Sequence, residues 1–433
     1  MKEIKLSADQ LVKKLLRLSA TETVCFLDSC GVGHLGSHLL IAGIRPLELL
    51  ELRDDDFEKT LRTFEKRLSD KTTANIFTVS YDFGLKLQNI QKRKKAISSF
   101  PEPDIFLATF DCLIIHDYNT GQTFLDGAEK AFDAVERTLL LRSKSANSST
   151  SSNSEISSNF TKAQYISNIE KIQDLIRAGE TYQTNLTQQF HANLPDALTP
   201  QRIYWSLRKN HPAPFASFIK RKSDFVVSIS PERFAKINRK SPSGNRTIMT
   251  SPIKGTRPRG KTSEEDTRLK NDLLASKKDL AENTMIVDLL RNDLGRICEF
   301  GSVRVDKLCN LEEHPTLFHL VSTVSGELRE DTNYAKILKA IFPCGSITGC
   351  PKINTMQIIE DLETKDRGLS MGAIGFCGFD QSFDTSVAIR TITIRNQTAT
   401  FNVGGGIVID SNADEEYRES LLKAKAILKA LSL

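Results

Sequence analysis

Three consecutive runs near the C-terminus decide the fold: MGAIGFCGF (371–379), TSVAIRTITI (385–394) and ATFNVGGGIVI (399–409). Each is rich in β-branched, aromatic or small apolar residues and predicts a strand. The connections between them are too short for the crossover helix that parallel neighbours require, so the three pair antiparallel. Working back along the chain, FASFIK (215–220) and FVVSIS (225–230) flank RKSD (221–224) as a hairpin, and residues 267–294 read as helix broken once. Thr161 and Gln164 have capping-box spacing ahead of Ile166, Ile169, Ile172 and Ile176, a helical face that Gly179 ends. Residues 413–431 predict a closing amphipathic helix. Toward the N-terminus, strand-like runs at 23–27 and 105–116 are interleaved with a charged helical stretch at 55–68, an α+β pattern without internal repeats.

The one compositional break is SKSANSSTSSNSEISSNF (143–160), too poor in apolar residues to pack. It predicts a flexible linker between an N-terminal α+β portion (1–142) and a C-terminal portion (161–433). The net charge of +5 is spread over 433 residues, and the basic run at 92–95 has no interleaved aromatics, which argues against a nucleic-acid partner. Cys25, Cys30, Cys112, Cys298, Cys309, Cys344, Cys350 and Cys377 make no C-x-x-C pair, so a reducing compartment and no structural zinc are expected. MKEIKLSADQLVKKLLRL (1–18) lacks the unbroken apolar centre of a signal peptide, and no stretch supplies the ~18 uncharged apolar residues of a membrane span. The expectation is a cytoplasmic protein with no membrane partner.

Glu282 lies in AENTMIVDLLRND (281–293) beside Met285, Ile286 and Leu289, which should face a core. An ionised carboxylate there needs a metal ion or a paired arginine such as Arg291. Glu416, Glu419 and Lys423 fall at i, i+3 and i+7 on the closing helix, which by spacing alone is a solvated charged face. GSITGCPK (345–352) is no Walker loop, because Pro351 precedes Lys352 and Ile353 follows it. It is either an ordinary tight turn or a Gly-rich entry to a helix whose free N–H groups suit a carboxylate. Gly404, Gly405 and Gly406 end a strand where backbone can approach a ligand or another strand. Lys254, between Pro252 and Gly255, is a nucleophile if held away from water, although most lysines are simply solvated. His319, in HLVSTVSG (319–326), by itself reads most simply as a core histidine making one hydrogen bond.

Taken together, AGETYQTNLTQ (178–188), SPERF (230–234), SPIKGTRPRG (251–260), AENTMIVDLLRNDLGRIC (281–298), GSVRV (301–305), HLVSTVSG, FPCGSITGCPK (342–352), SVAIRTI (386–392), GGGIVIDS (404–411) and EYRESLLKAKAIL (416–428) form an ordered series. That series resembles the chorismate-utilising enzymes, a family that includes anthranilate, aminodeoxychorismate, isochorismate and salicylate synthases. FLDS (26–29) and SYDFGLKL (80–87) extend the resemblance before the linker. It implies an α+β fold like that of anthranilate synthase component I: large antiparallel sheets, built from both sides of the linker, packed face to face with helices outside and the active site in a cleft.

Within the family, PIKGT in place of PIAGT around Lys254, and Gln183 where water-adding members carry a lysine, imply amination of chorismate at C4, a step toward para-aminobenzoate and folate. The alternatives are an anthranilate synthase component I, which would also remove pyruvate, and an inactive member that only binds a partner. Carried over by motif, Glu282 and Glu419 hold Mg²⁺, Lys254 attacks ring carbon C2, and Glu232 protonates the departing hydroxyl. His319 and Thr256 lie at the reacting ring. Arg390 and Gly404, Gly405 and Gly406 receive the substrate's carboxylates, with Lys423, Lys352 and Gln183 also on the substrate side. No Cys-His-Glu glutaminase signature is present, so the implied ammonia source is a separate glutamine amidotransferase subunit. Cys344 and Cys350 replace small residues around GSITG. HLGSHL (34–39) departs from the Gly-Arg-Tyr-Ser stretch that follows FLDS in the family, so the resemblance gives no expectation about a tryptophan pocket either way.

Overall fold

The computed structural model describes every residue except 35, 94–100, 141–153, 239–243, 245, 315–316 and 433. The hairpin predicted at 215–230 forms: Phe215–Lys220 pairs with Phe225–Ser230, and the Arg221 N–H closes the turn on Asp224 O at 2.9 Å. Phe215–Lys220 also pairs with the N-terminal strand Val24–Asp28. On the other side, Phe225–Ser230 pairs with Thr391–Arg395, followed by Thr398–Ile407 and the long strand Gln183–Asn193. A second sheet follows the same plan. Ala373–Cys377 lies between Phe383–Val387 and the N-terminal strand Ala74–Val79, and Arg233–Ile237, Thr247–Ser251 and Leu317–Glu327 continue from Phe383–Val387 toward the edge. Among the described residues the two antiparallel sheets have twelve and ten strands, and in each a block of strands from before 143–160 is joined edge to edge with a block from after it.

Apolar side chains on the inner faces join the sheets: Cys25, Ile41, Ile219 and Val226 of the first meet Ile76, Phe106, Ala108 and Ile374 of the second. Helices Ala8–Leu18, Pro200–Asn210 and Ala413–Ala430 cover the outer face of the first sheet through Leu11, Leu15, Ile203, Leu207 and Ile427. Phe57–Leu68, Lys277–Gly295 and Tyr334–Ile341 cover the second through Leu61, Phe64, Ile286, Leu290 and Ile337. This is the expected α+β sandwich with helices outside. No helix among the described residues is long and apolar enough to cross a membrane, and all eight cysteines are free.

Two expectations need correction. Residues 143–153 of the Ser-rich segment, and 94–95 of the basic run, lie outside the described residues. Within the remainder of the predicted linker, however, Glu155–Ser158 is a strand paired with the end of Gln183–Asn193. An edge strand is held by backbone hydrogen bonds, which a Ser-rich composition supplies as well as any other. The run TSVAIRTITI is two strands, not one: Phe383–Val387 belongs to the second sheet and Thr391–Arg395 to the first, with Arg390 between them at φ 50°. That left-handed backbone is unfavourable for a side-chain-bearing residue and is found where surrounding structure enforces it. A second crossing, at Pro231 and Glu232, joins Phe225–Ser230 to Arg233–Ile237. The crossings are hydrogen-bonded neighbours, Val387 N–H to Glu232 O at 3.1 Å and Ile229 N–H to Arg390 O at 3.2 Å. Glu232 and Arg390 therefore sit on the seam between the sheets.

Candidate active site

Lys254 lies on the strand Ile253–Pro258, followed by Gly255 at φ 88°. Its ammonium is 3.9 Å from Glu282 Oε2, and the same oxygen accepts a hydrogen bond from Gln183 Nε2 at 3.2 Å. A Cβ on Gly406 would stand 2.0 Å from Gln183 Nε2 and 3.4 Å from Lys254 Nζ, so the Gln183 amide occupies the space that any larger residue at 406 would need. A Cβ on Gly405 would stand 3.3 Å from Glu416 Oε2 and 3.5 Å from Lys423 Nζ. Gly404 answers to the sheet instead, because a Cβ there would lie 1.9 Å from Leu186 O of the paired strand. Lys423 Nζ donates to Gly404 O at 3.0 Å.

The one break in the 267–294 stretch lies between Leu274 and Lys277, and the helix Lys277–Gly295 that follows, capped by the Ser276 hydroxyl, carries Glu282 to this cluster. Burial pushes the Glu282 carboxyl up, opposed by Lys254 and Lys278. On the closing helix, Lys423 lies 2.8 Å from Glu419 and holds its carboxyl below the usual value against burial. Glu416 is 6% exposed and accepts from Ser411 Oγ at 2.8 Å and Lys278 Nζ at 3.2 Å. The alternative pairing of Glu282 with Arg291 does not occur: Arg291 bonds Asp288 at 2.8 Å. Lys278 was not singled out from the sequence, and Glu416 was read there only as part of a solvated face with Glu419 and Lys423. The i, i+3 spacing of Glu416 to Glu419 was its signal, but spacing cannot reveal that this helix face is covered. Lys278 lies within electrostatic reach of Glu282, Glu416 and Glu419, so the three carboxylates face a common region. Their oxygens are of the hard type that suits Mg²⁺, but among the described residues they do not all lie within 4.8 Å of one another.

Glu232 is 4% exposed, and burial pushes its carboxyl up to about 7, countered in part by Ser346 and by Lys254. Ser346 Oγ donates to Glu232 Oε1 at 2.6 Å from the short turn Gly345–Ile347. GSITG thus reaches the site through a hydroxyl, a residue sequence reasoning missed. Thr256 and His319 face each other on paired strands, with Oγ1 2.8 Å from Nδ1. Burial, with the Arg390 guanidinium nearby, pushes the His319 imidazole down to about 3, so it is neutral at ordinary pH. Arg390 is desolvated and has no carboxylate partner among the described residues. A guanidinium so placed is ready for an anionic ligand.

Lys352, expected on the substrate side, does not join the cluster. Its ammonium bonds the buried Asp293 carboxylate and Ile341 O, the latter at 2.9 Å. A buried charge must be neutralised where it lies, and this pairing leaves the lysine a structural role. A cavity of about 330 Å³ also lies elsewhere, lined by Asp28, Ser29, Phe215, Lys236, Phe376 and Asp384 among others.

The profile of the chorismate-binding enzymes matches residues 34–429. The chain is 37% identical to a rice (Oryza sativa subsp. japonica) protein named probable aminodeoxychorismate synthase, over 81% of this chain and 42% of the rice protein. It is 34% identical to aminodeoxychorismate synthase component 1 of Bacillus subtilis, over 87% of this chain and 80% of that one. The crystal structure of anthranilate synthase component I from Streptococcus pneumoniae shares the fold at a TM-score of 0.78 and 27% identity, covering 92% of this chain and 93% of that one. With the profile spanning nearly the whole sequence, this chain belongs to the chorismate-binding enzyme family.

Proposed function

We propose that the protein aminates chorismate at C4, giving 4-amino-4-deoxychorismate, with Mg²⁺ as cofactor and ammonia delivered by a separate glutamine amidotransferase subunit. The observation that carries this reading is the setting of Lys254: beside Glu282, within electrostatic reach of Glu232, and flanked by Gln183. The relatives named aminodeoxychorismate synthase support it.

In this mechanism the Lys254 amine forms a bond to ring carbon C2, the two ring double bonds shift, and the C4–O bond breaks. Glu232, which is part-protonated near neutrality, gives its proton to the departing oxygen, and water leaves. Ammonia then bonds to C4, the double bonds shift back and the C2–N bond to Lys254 breaks. The proton lost by the incoming ammonia restores Glu232, so the balance is ammonia in and water out. Arg390 binds a substrate carboxylate, and neutral His319, held by Thr256, offers a hydrogen bond without changing charge. Glu282, Glu416 and Glu419 would hold Mg²⁺, which neutralises carboxylate charge as the ring reacts.

The likeness to an anthranilate synthase component I favours a second reading, in which the aminated ring also loses pyruvate. Incubation with chorismate, Mg²⁺ and ammonium chloride, followed by mass spectrometry, separates the two. Aminodeoxychorismate is expected, with its formation slowed at least ~100-fold in Lys254→Ala. Anthranilate and pyruvate would replace the proposal with the second reading.

A further inference from the structure

HLGSHL, the stretch that departs from the family resemblance, places His34 against the hairpin that carries His319. His34 Nδ1 contacts Glu312 Oε2, and His314 Nε2 lies 3.4 Å from the same oxygen. One ligand atom from each of the three residues falls within 4.8 Å of the others. His34 is 2% exposed and His314 9%, and the Nε2 atom of each is buried without a hydrogen-bond partner among the described residues. Leaving buried polar nitrogens unpaired is costly. The two imidazole rings lie 5.4 Å apart beside one carboxylate, and a divalent cation gives both rings and the carboxylate a common partner.

We propose that His34, Glu312 and His314 form a site for a zinc-class divalent metal ion, separate from the carboxylate cluster, with water completing the tetrahedron. Two imidazole nitrogens and one carboxylate oxygen are a donor set that such ions take, whereas Mg²⁺ is held by oxygen. The expectation of no structural zinc rested on the cysteines, and none takes part. The placement suggests a staple. Glu312 lies at the end of the strand Arg304–Glu313, and the His314 N–H donates to Leu317 O at 2.9 Å across the turn into Leu317–Glu327. The His314 ring lies 5.5 Å from that of His319, and the His34 ring lies edge-on to Phe215 at 6.0 Å. The ion joins the loop after Val24–Asp28 to the turn that positions His319.

The test is titration of the tag-free full chain, stripped with chelator, with Co²⁺ in the absence of chorismate. One equivalent should produce the intense visible bands of tetrahedral cobalt, and Zn²⁺ should displace it and raise the melting temperature. Glu312→Gln and His314→Gln should each weaken binding at least ~10-fold. Glu282→Gln, which alters only the carboxylate cluster, should leave the bands in place. Circular dichroism checks that each variant folds, and His314→Gln, on the turn, decides alone where Glu312→Gln does not fold. Absence of tetrahedral bands, their persistence in folded His314→Gln, or their loss in folded Glu282→Gln would each overturn the proposal and leave an ordinary ion pair.

Discussion

Burial leaves the Glu232 carboxyl part-protonated near pH 7, and this has consequences for both chemistry and stability. A general acid must hold a proton at the working pH, and loss of such a group typically costs ~10²- to 10⁴-fold in rate. The stability effect has a definite sign. The carboxyl rises from 4.5 to about 7 on folding, so the folded chain binds more protons than the unfolded chain between those values. Stability from this group is complete below about pH 4.5 and is lost as pH rises through about 7, an effect on the order of 3 kcal/mol. Glu232→Gln keeps an acceptor for Ser346 and never ionises. It should therefore be nearly inactive yet more stable than the parent at pH 8, with the gap closing toward pH 5. Urea unfolding at both pH values checks this, and an equal gap at the two would show that the carboxyl is not raised.

At the scale of elements, the break between Ser263–Leu274 and Lys277–Gly295 sets the direction of the helix that carries both Glu282 to the cluster and Asp293 to Lys352. The Ser276 hydroxyl accepts from Asp279 N–H at 3.3 Å and satisfies one of the free donors at that helix start. Ser276→Ala should destabilise the protein by about 1 kcal/mol and Ser276→Asp by much less, read from the urea midpoints. The two sheet crossings act differently. They place side chains where neither strand would, and Arg390 accepts a left-handed backbone to do so.

The whole molecule cannot be divided at the Ser-rich segment. Without residues 1–140, Phe215–Lys220 loses Val24–Asp28 and Ala373–Cys377 loses Ala74–Val79, which exposes an interior edge in each sheet. Such edges recruit other chains. The fragment 154–433 expressed alone should be insoluble or aggregated by size-exclusion chromatography, and coexpression of 1–140 should restore a soluble complex. A soluble, folded fragment on its own would refute the shared sheets as a requirement.

Local order was legible because its causes are local. The capping box at Thr161, the hairpin about residues 221–224 and the broken helix before Glu282 all follow from residues within a few positions of one another. The motif series likewise led to the family and to most of the residues gathered about Lys254. Tertiary structure alone decided the rest. TSVAIRTITI changes sheets because strands from distant parts of the chain compete for its two halves, which the mostly β-branched composition of the run conceals. Glu416 is buried and Lys352 is tied to Asp293 because of helices and turns packed over them, while i, i+3 spacing and a Gly-rich motif describe only one segment at a time. Burial and the choice of charge partner belong to contacts between segments, so they exist only once the sheets have met.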